Sequence, residues 1–146
     1  MRSRPRSEAE LRLRLGMKGH GNKIIETVIS TLKQSQQIDD VKFARFWIES
    51  RMHANPAGDT VLRYELKAKG VADTVIDAAL AEKAENYDEY KVASAMAAER
   101  FAQFVKLDKR KALKRVYDFL GRRGFSYDVI QRVLDDVIGH ANRDID

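Results

Sequence analysis

One pattern of glycine and apolar residues occurs three times along the chain, centred on Gly19, Gly70 and Gly124, at spacings of 51 and 54 residues. A basic residue precedes each glycine, and leucine or valine lies four and eight positions before it. Aliphatic residues return five, six, nine and ten positions after it. These spacings place the apolar residues on one face of a helix on each side of the glycine. The pattern therefore predicts three pairs of helices, with the glycine in the left-handed conformation that ends the first helix of each pair.

Residues suited to helix capping mark several of the predicted starts. Ser7 and Glu10 have the spacing of a capping box ahead of the first apolar stripe. Asp39 and Ser126 precede two later apolar runs, in the position where a side-chain oxygen accepts a backbone N–H. We therefore expect helices to begin directly after these residues.

A third helix follows the pair in at least the first two units. Helical spacing of apolar residues predicts one helix after residue 39, with Phe43, Phe46 and Trp47 in its core face, and another over 87–105. We therefore expect about eight helices and no strand. The predicted fold is all-α, an elongated right- or left-curved array of tandem three-helix repeats.

The interruptions between these patterns give the expected domain organisation. Asn55-Pro56-Ala57-Gly58-Asp59 is the clearest break, because proline and glycine disfavour helix continuation. The predicted segments are a basic N-terminal arm (1–6), three helical repeats (7–54, 55–106 and 107–138) and an acidic C-terminal tail (139–146).

The composition and motifs exclude several classes of function. The chain has no apolar run of about 18 residues that would span a membrane. It has no Cys, which excludes disulfide and thiolate sites and is typical of a reducing compartment. None of its three His has a partner at metal-ligand spacing, and neither a phosphate-binding loop nor a nucleophile elbow occurs. We expect a cytoplasmic protein that binds no membrane, metal or cofactor and is not an enzyme.

The net charge of +5 is distributed unevenly between the helices of each pair. The first helices together carry +9, and the second helices carry −3. The ranges counted are 8–18, 60–69 and 109–123 for the first helices, and 22–33, 73–84 and 127–138 for the second. Phosphates would repel an acidic second helix from the major groove, which disfavours base recognition by a helix-turn-helix motif. The distribution favours a polyanionic backbone or an acidic protein face as the ligand of the first helices.

Basic residues of the second and third of these first helices are the candidate binding residues. In the third, Lys111, Lys114 and Arg115 lie opposite the apolar stripe at helical spacing. The alternative interpretations are a solvated charged face and, for Arg63, pairing with Glu65 or with a neighbouring module. The candidate set, which we expect to line one concave surface, is Arg63, Lys67, Lys69, Lys111, Lys114, Arg115, Arg122 and Arg123.

The ordered motifs resemble those of the RecX family of regulatory proteins. The matching residues are Arg6-Ser7-Glu8, Lys18-Gly19 and Asp39-Asp40 in the first module, Leu62-Arg63-x-Glu65-Leu66 and Lys69-Gly70-Val71 in the second, and Arg122-Arg123-Gly124-Phe125 in the third. The resemblance spans residues 4–137. Members of the family usually have one more helix before the Arg-Ser-Glu motif.

The resemblance implies a monomeric helical-repeat protein that binds the filament of the RecA recombinase on DNA, in the groove of that filament. It implies inhibition of the RecA ATPase, strand exchange and coprotease activities, and hence a role in DNA recombination, DNA repair and the SOS response. The implied partners are the RecA filament and single- or double-stranded DNA backbones, contacted without sequence specificity. The alternatives are a stand-alone, sequence-independent DNA-binding protein and a helical scaffold for another acidic protein.

Overall fold

The structure is a computed structural model that describes residues 4–104 and 106–144, and within these ranges it consists of eight α-helices without a strand. The helices are α1 (Glu8–Met17), α2 (Asn22–Gln34), α3 (Asp40–Ala54), α4 (Asp59–Ala68), α5 (Asp73–Asn86), α6 (Glu89–Gln103), α7 (Lys109–Arg122) and α8 (Tyr127–Asp144). The predicted all-α fold is confirmed. The curvature of the array and the boundaries of its repeats stay predictions.

The three glycine turns join α1 to α2, α4 to α5 and α7 to α8, as predicted. Gly19, Gly70 and Gly124 have φ of +87°, +82° and +89°. In every turn the glycine N–H donates to the carbonyl three residues earlier at 2.9–3.0 Å. The next N–H donates to the carbonyl five residues earlier at 3.1–3.2 Å. This is the Schellman motif, which satisfies the last carbonyls of the first helix and requires the left-handed conformation at the glycine.

The predicted N-caps are also confirmed. The Ser7 hydroxyl accepts the backbone N–H of Glu10 at 3.1 Å, and the Glu10 carboxylate accepts the backbone N–H of Ser7 at 3.2 Å. Asp39 accepts the first free N–H groups of α3, and Ser126 accepts one from α8 at 3.3 Å. Local side-chain chemistry therefore fixes where these helices begin.

The chain divides into two compact units, here called the first unit (residues up to 55, with 63–82) and the second unit (56–62, with the residues from 83 onward). In the first unit, one core cluster lies between α1 and α2, where Ile25, Ile29 and Ile38 are buried. The core face of α3 in the same unit is formed by Phe43, Ala44, Ile48 and Met52.

The prediction that Phe46 belongs to the core of α3 is wrong. Its side chain is 38% exposed, whereas Phe43 and Ala44 are fully buried. At 100° per residue, Phe46 lies about 160° from Ala44 around the helix axis, and therefore away from the core. The buried position is occupied by the small side chain of Ala44. A prediction that assigns core positions to large apolar side chains does not identify it.

In the second unit, α6, α7 and α8 pack around one apolar core. Ala93 and Ala97 of α6 are fully buried against this cluster, and their small side chains allow the neighbouring helices to approach closely. Val116 and Leu120 contribute the buried stripe of α7. The α7 stripe that the sequence predicted is therefore confirmed, and it positions the opposite face of α7 away from this core.

The packing of the start of one helix pair on the glycine turn of the next pair also occurs twice. In the first unit, the Ser7 hydroxyl donates to the Lys69 carbonyl at 2.6 Å, and a Cβ placed on Gly70 would lie 2.3 Å from Cβ of Ala9. In the second unit, the Gly58 N–H donates to the Arg123 carbonyl at 2.7 Å. Ser7 and Gly58 both lie twelve residues before the glycine of their own pair, so the two contacts are equivalent.

The contact in the second unit leaves no space for a side chain on the turn glycine. A Cβ on Gly124 would lie 2.6 Å from the backbone nitrogen of Val61, and one on Gly58 would lie 2.3 Å from the Gly124 carbonyl oxygen. No described atom lies within 4 Å of a Cβ on Gly19. The turn at Gly19 therefore requires glycine only for its conformation, whereas Gly124 is required for both conformation and space.

This difference predicts unequal effects of the same substitution. Gly19→Ala should lower the free energy of unfolding by about 1 kcal/mol, the penalty for a side chain in the left-handed conformation. Gly124→Ala should lower it by about 1–3 kcal/mol more, because the added methyl meets backbone atoms that cannot move aside. Urea unfolding followed by circular dichroism measures both variants, and equal losses would contradict the close packing at Gly124.

Candidate polyanion-binding surfaces

Helix α7 has one buried face and one strongly basic face. Ala112, Val116 and Leu120 are buried, and Asp108 caps the helix by accepting the N–H of Arg110 at 3.0 Å. The opposite face exposes four cations, which we call the α7 basic face. They are Lys111, Lys114, Arg115 and Arg122.

The charges of the α7 basic face are not neutralised within the described part of the chain. None of its four cations forms an ion pair with a described residue, although ion pairs occur at α1, α3, α4 and the start of α5. Asp118 is the one acidic residue of α7. The face therefore presents a local excess of positive charge to solvent, as the sequence predicted for this helix.

Two of these arginines line a cleft between α6 and α7, which we call the arginine cleft. Its volume is about 350 Å³. The lining residues are Arg100, Phe104, Arg115, Asp118, Phe119 and Arg122. The guanidinium of Arg100 lies 4.2 Å from the ring centre of Phe119, and that of Arg115 lies 5.7 Å from the ring centre of Phe104.

Arg100 was not among the residues predicted from the sequence. Helix α6 has an apolar pattern with few cations, and a single arginine near its end gave no reason to assign it to a binding site. The sequence feature that could have identified Arg100 is its spacing of four residues from Phe104, which places both side chains on one face of the helix.

Arg123 differs from the cations of the α7 basic face because its side chain takes part in packing. It is half-buried, and its Nε and Nη2 atoms donate to the Pro56 carbonyl at 3.3 and 2.8 Å. Its backbone carbonyl accepts the N–H of Gly58. The residue thus stabilises the packing of the second unit, a role that competes with the predicted binding role.

In the first unit, the predicted cations of α4 pair with the acidic helix that follows. Arg63 contacts Asp77 of α5 at 2.7 Å, and Lys67 contacts Asp73 at 3.3 Å. All four side chains are between 41% and 63% exposed, so these pairs are weak and exchange readily for other partners. The alternative pairing of Arg63 with Glu65 is not observed.

Glu65 instead connects α4 to α3. Its Oε1 atom accepts from Nε1 of Trp47 at 3.0 Å and from Nε of Arg51 at 2.9 Å. The ammonium group of Lys69 lies 5.4 Å from the centre of the Trp47 ring and 3.4 Å from Oε2 of Glu10. Lys69 is therefore engaged in the packing of the first unit, as Arg123 is in the second.

The acidic residues at the start of α1 are stabilised in their charged form. Burial raises the pKa of Glu10, but hydrogen bonds from Arg4 and from the Ser7 N–H lower it by more than burial raises it. The net pKa therefore lies below the usual 4.5. The pKa of Glu8 is also lowered, chiefly by a hydrogen bond from Lys33 and against the effect of burial. Both carboxylates therefore favour folding only while they are ionised.

The described residues include no group of three or more histidine or acidic side chains that would hold a metal ion. No helix in the described part of the chain combines the length and apolar composition needed to cross a membrane. The exposed cations of α7 without described counter-ions are therefore the candidate site, and their charge would attract an anion.

The sequence models of two protein domains match this chain. A sequence model of the second three-helix domain of RecX matches residues 39–80, and one of the third three-helix domain matches residues 87–134. The chain belongs to the RecX family. The match to the second domain covers α3, α4 and the first part of α5, and the match to the third covers α6, α7 and the first part of α8. The α7 basic face and the arginine cleft therefore belong to the third RecX domain.

Individual RecX proteins are similar over most of their length. The regulatory protein RecX of Prosthecochloris aestuarii is 35% identical over 136 residues, which cover 92% of this chain and 86% of that protein. The regulatory protein RecX of Clostridium acetobutylicum is 31% identical over 140 residues, which cover 94% of this chain and 64% of that protein. The chain thus spans between 64% and 86% of these two relatives.

Solved RecX structures share the fold. One crystal structure of regulatory protein RecX has a TM-score of 0.80 at 22% identity, over 90% of this chain and 64% of that one. The crystal structure of RecX from Lactobacillus salivarius has a TM-score of 0.79 at 20% identity, over 91% of this chain and 86% of that one. These comparisons support the tandem three-helix organisation.

The lowered pKa values at α1 predict loss of stability in acid. The stabilisation from Glu8 and Glu10 is present above their usual pKa of 4.5 and is lost as the pH falls through the lower values of the folded state. Glu10→Gln should lower the stability at pH 7 and reduce its decline below pH 4.5, as measured by urea unfolding across pH.

Glu49→Gln is the matched control, because Glu49 is exposed and forms no ion pair with a described residue. This variant should retain the acid dependence of the parent chain. If Glu10→Gln also retains it, the carboxylate of Glu10 does not couple folding to pH.

Proposed function

We propose that this RecX protein regulates the RecA recombinase, mainly as an inhibitor, by binding the RecA–DNA filament in its groove and blocking ATPase, strand exchange and coprotease activity. Family membership supports the choice of RecA as the partner. The observation that carries the proposal is the α7 basic face, whose four cations have no counter-ion among the described residues. The protein would act in the cytoplasm, without a cofactor, as a monomer.

The α7 basic face favours a polyanionic ligand for a physical reason. Exposed cations without internal ion-pair partners are available to neutralise phosphates, and the release of condensed counter-ions from DNA then contributes to the binding free energy. A RecA–DNA filament presents such phosphates together with a protein surface. Binding by these residues would be independent of base sequence, because phosphate contacts carry no sequence information directly.

The first unit contributes further cations to this proposal. Arg63 and Lys67 are exposed and held only by weak pairs, so a filament would displace their partners at little cost. Contacts made by separate units of one chain reinforce each other, since the first raises the effective concentration of the second. A periodic filament is a ligand that several such contacts would bind at once. That all predicted cations line one concave surface stays part of the proposal.

A stand-alone, sequence-independent DNA-binding protein is the second candidate, because the α7 basic face suits naked DNA as well. The two functions differ in their preferred ligand. A filament regulator should bind RecA-coated DNA more tightly than the same DNA alone, whereas a stand-alone protein should not distinguish them. Equilibrium titration of both ligands at one salt concentration separates the two candidates.

Charge reversal on α7 tests the proposal. Lys111→Glu with Lys114→Glu converts two attractive contacts into repulsive ones, and we expect the concentration needed to inhibit the RecA ATPase to rise at least about tenfold. Both side chains are exposed on the side of α7 that faces away from its core, so the helical content and unfolding temperature should be unchanged.

The matched control is Lys23→Glu with Lys91→Glu, which changes the net charge equally at two exposed positions outside α7. It should inhibit nearly as well as the parent chain. Undiminished inhibition by the α7 variant would show that this face does not bind the filament.

A further inference from the structure

We propose that the arginine cleft is a binding site for one phosphodiester group of DNA, held by Arg100, Arg115 and Arg122. The proposal deepens the proposed function and rests on it for the choice of DNA as the polyanion. It assigns the α6–α7 region of the second unit to DNA and adds Arg100, which lies outside the α7 basic face, to the binding residues.

The arginine cleft contains many free hydrogen-bond donors. Each guanidinium carries five N–H donors and no acceptor. Arg115 and Arg122 donate to no described residue. Arg100 donates to Oε1 of Gln103 at 3.3 Å. Most of the donors in this cleft are therefore available to an incoming anion.

Two of the guanidinium groups in the cleft are already oriented by aromatic rings. Arg100 stacks over Phe119, and Arg115 lies over Phe104, at the distances given above. A cation–π contact restrains the plane of the guanidinium without using its N–H groups. Less conformational entropy is then lost when the anion binds, which is the benefit of a pre-organised site.

Two kinds of anionic group match the guanidinium groups of the cleft. Planar guanidinium groups match the geometry of phosphate and of carboxylate oxygens, so either a DNA backbone or an acidic protein would fit. Protein interfaces have an apolar core from which charge is depleted, whereas DNA interfaces are polar and strongly positive.

The exposed apolar residues are distributed in a way that favours DNA at this cleft. Leu13, Met17 and Ile24 are 66%, 79% and 54% exposed, and all three belong to the first unit. Among the described residues of the second unit, the large exposed apolar side chains are Tyr117 and Tyr127, which are aromatic. Aromatic side chains are compatible with nucleic acid, because bases stack on them. An aliphatic patch suited to a protein partner is not found on the described part of this unit.

Asp118 provides an internal test of the sign of the ligand charge. Its carboxylate lines the same cleft and forms no ion pair with a described residue. It reduces the charge of the lining from three positive groups to a net +2 and repels a phosphate. Removing this charge should therefore improve binding, an effect that damage to the fold would not produce.

The experiment is a fluorescence anisotropy titration of the full chain with a labelled deoxythymidine oligomer and with a duplex of the same length, at several salt concentrations. Arg115→Gln with Arg122→Gln should weaken binding roughly tenfold and lower the salt dependence by about 0.7 for the single strand or about 0.9 for the duplex. The DNA form that shows the larger loss is the preferred source of the phosphate. Asp118→Asn should tighten binding several-fold.

The control variant, Lys23→Gln with Lys91→Gln, removes the same charge elsewhere and should bind as the parent chain does. The proposal is overturned if the double arginine variant binds both DNA forms like the parent, if Asp118→Asn weakens binding, or if the parent binds neither form. It is also overturned if polyglutamate displaces DNA at equal charge concentration. RecA is absent from this titration, so a failure here is distinguishable from a failure of the proposed function, which is measured by ATPase inhibition.

Discussion

The packing of the start of the first and of the second helix pair on the glycine turn of the following pair is the interaction on which the rest of the structure depends. The turn needs a glycine in the left-handed conformation, and the carbonyl of the residue before it accepts a hydrogen bond. The donor belongs to the preceding helix pair and lies twelve residues before the turn glycine of its own pair. Ser7 supplies a hydroxyl and Gly58 a backbone N–H for the same purpose. In the second unit this contact holds the end of α7 and engages Arg123, so the remaining cations of that helix are left for other partners.

Electrostatics then differ between two helix pairs that have the same architecture. The cations of α4 are matched by Asp73 and Asp77 of α5 and form exposed ion pairs. Helix α8 is acidic too, but Asp136 accepts a hydrogen bond from Tyr90, and Asp135 accepts one from Gln131 at 3.1 Å. Among the described side chains of α8, no carboxylate forms an ion pair with a cation of α7. This difference, rather than the net charge of the chain, is the reason we propose the third RecX domain as the binding region.

Much of the fold could be predicted from the sequence because its determinants are local or periodic. The Schellman turns, the capping box of Ser7 and the apolar stripe of α7 depend on residues a few positions apart. The roles of individual cations could not be predicted in the same way. Lys69 contacts Glu10, which is 59 residues away, and Arg123 contacts Pro56, which is 67 residues away. Such long-range contacts engage both half-buried residues in packing, which the charge pattern did not reveal. The arginine cleft likewise depends on α6 packing beside α7.

The stoichiometry of RecA ATPase inhibition tests the account most directly. RecA is assembled on a fixed amount of single-stranded DNA, and its ATPase is measured as this RecX protein is added from far below to above the amount that would cover the DNA. A protein that binds the filament at repeated basic contacts is predicted to inhibit well below that amount. Inhibition that begins only when the DNA is covered, or no inhibition at all, would contradict the account.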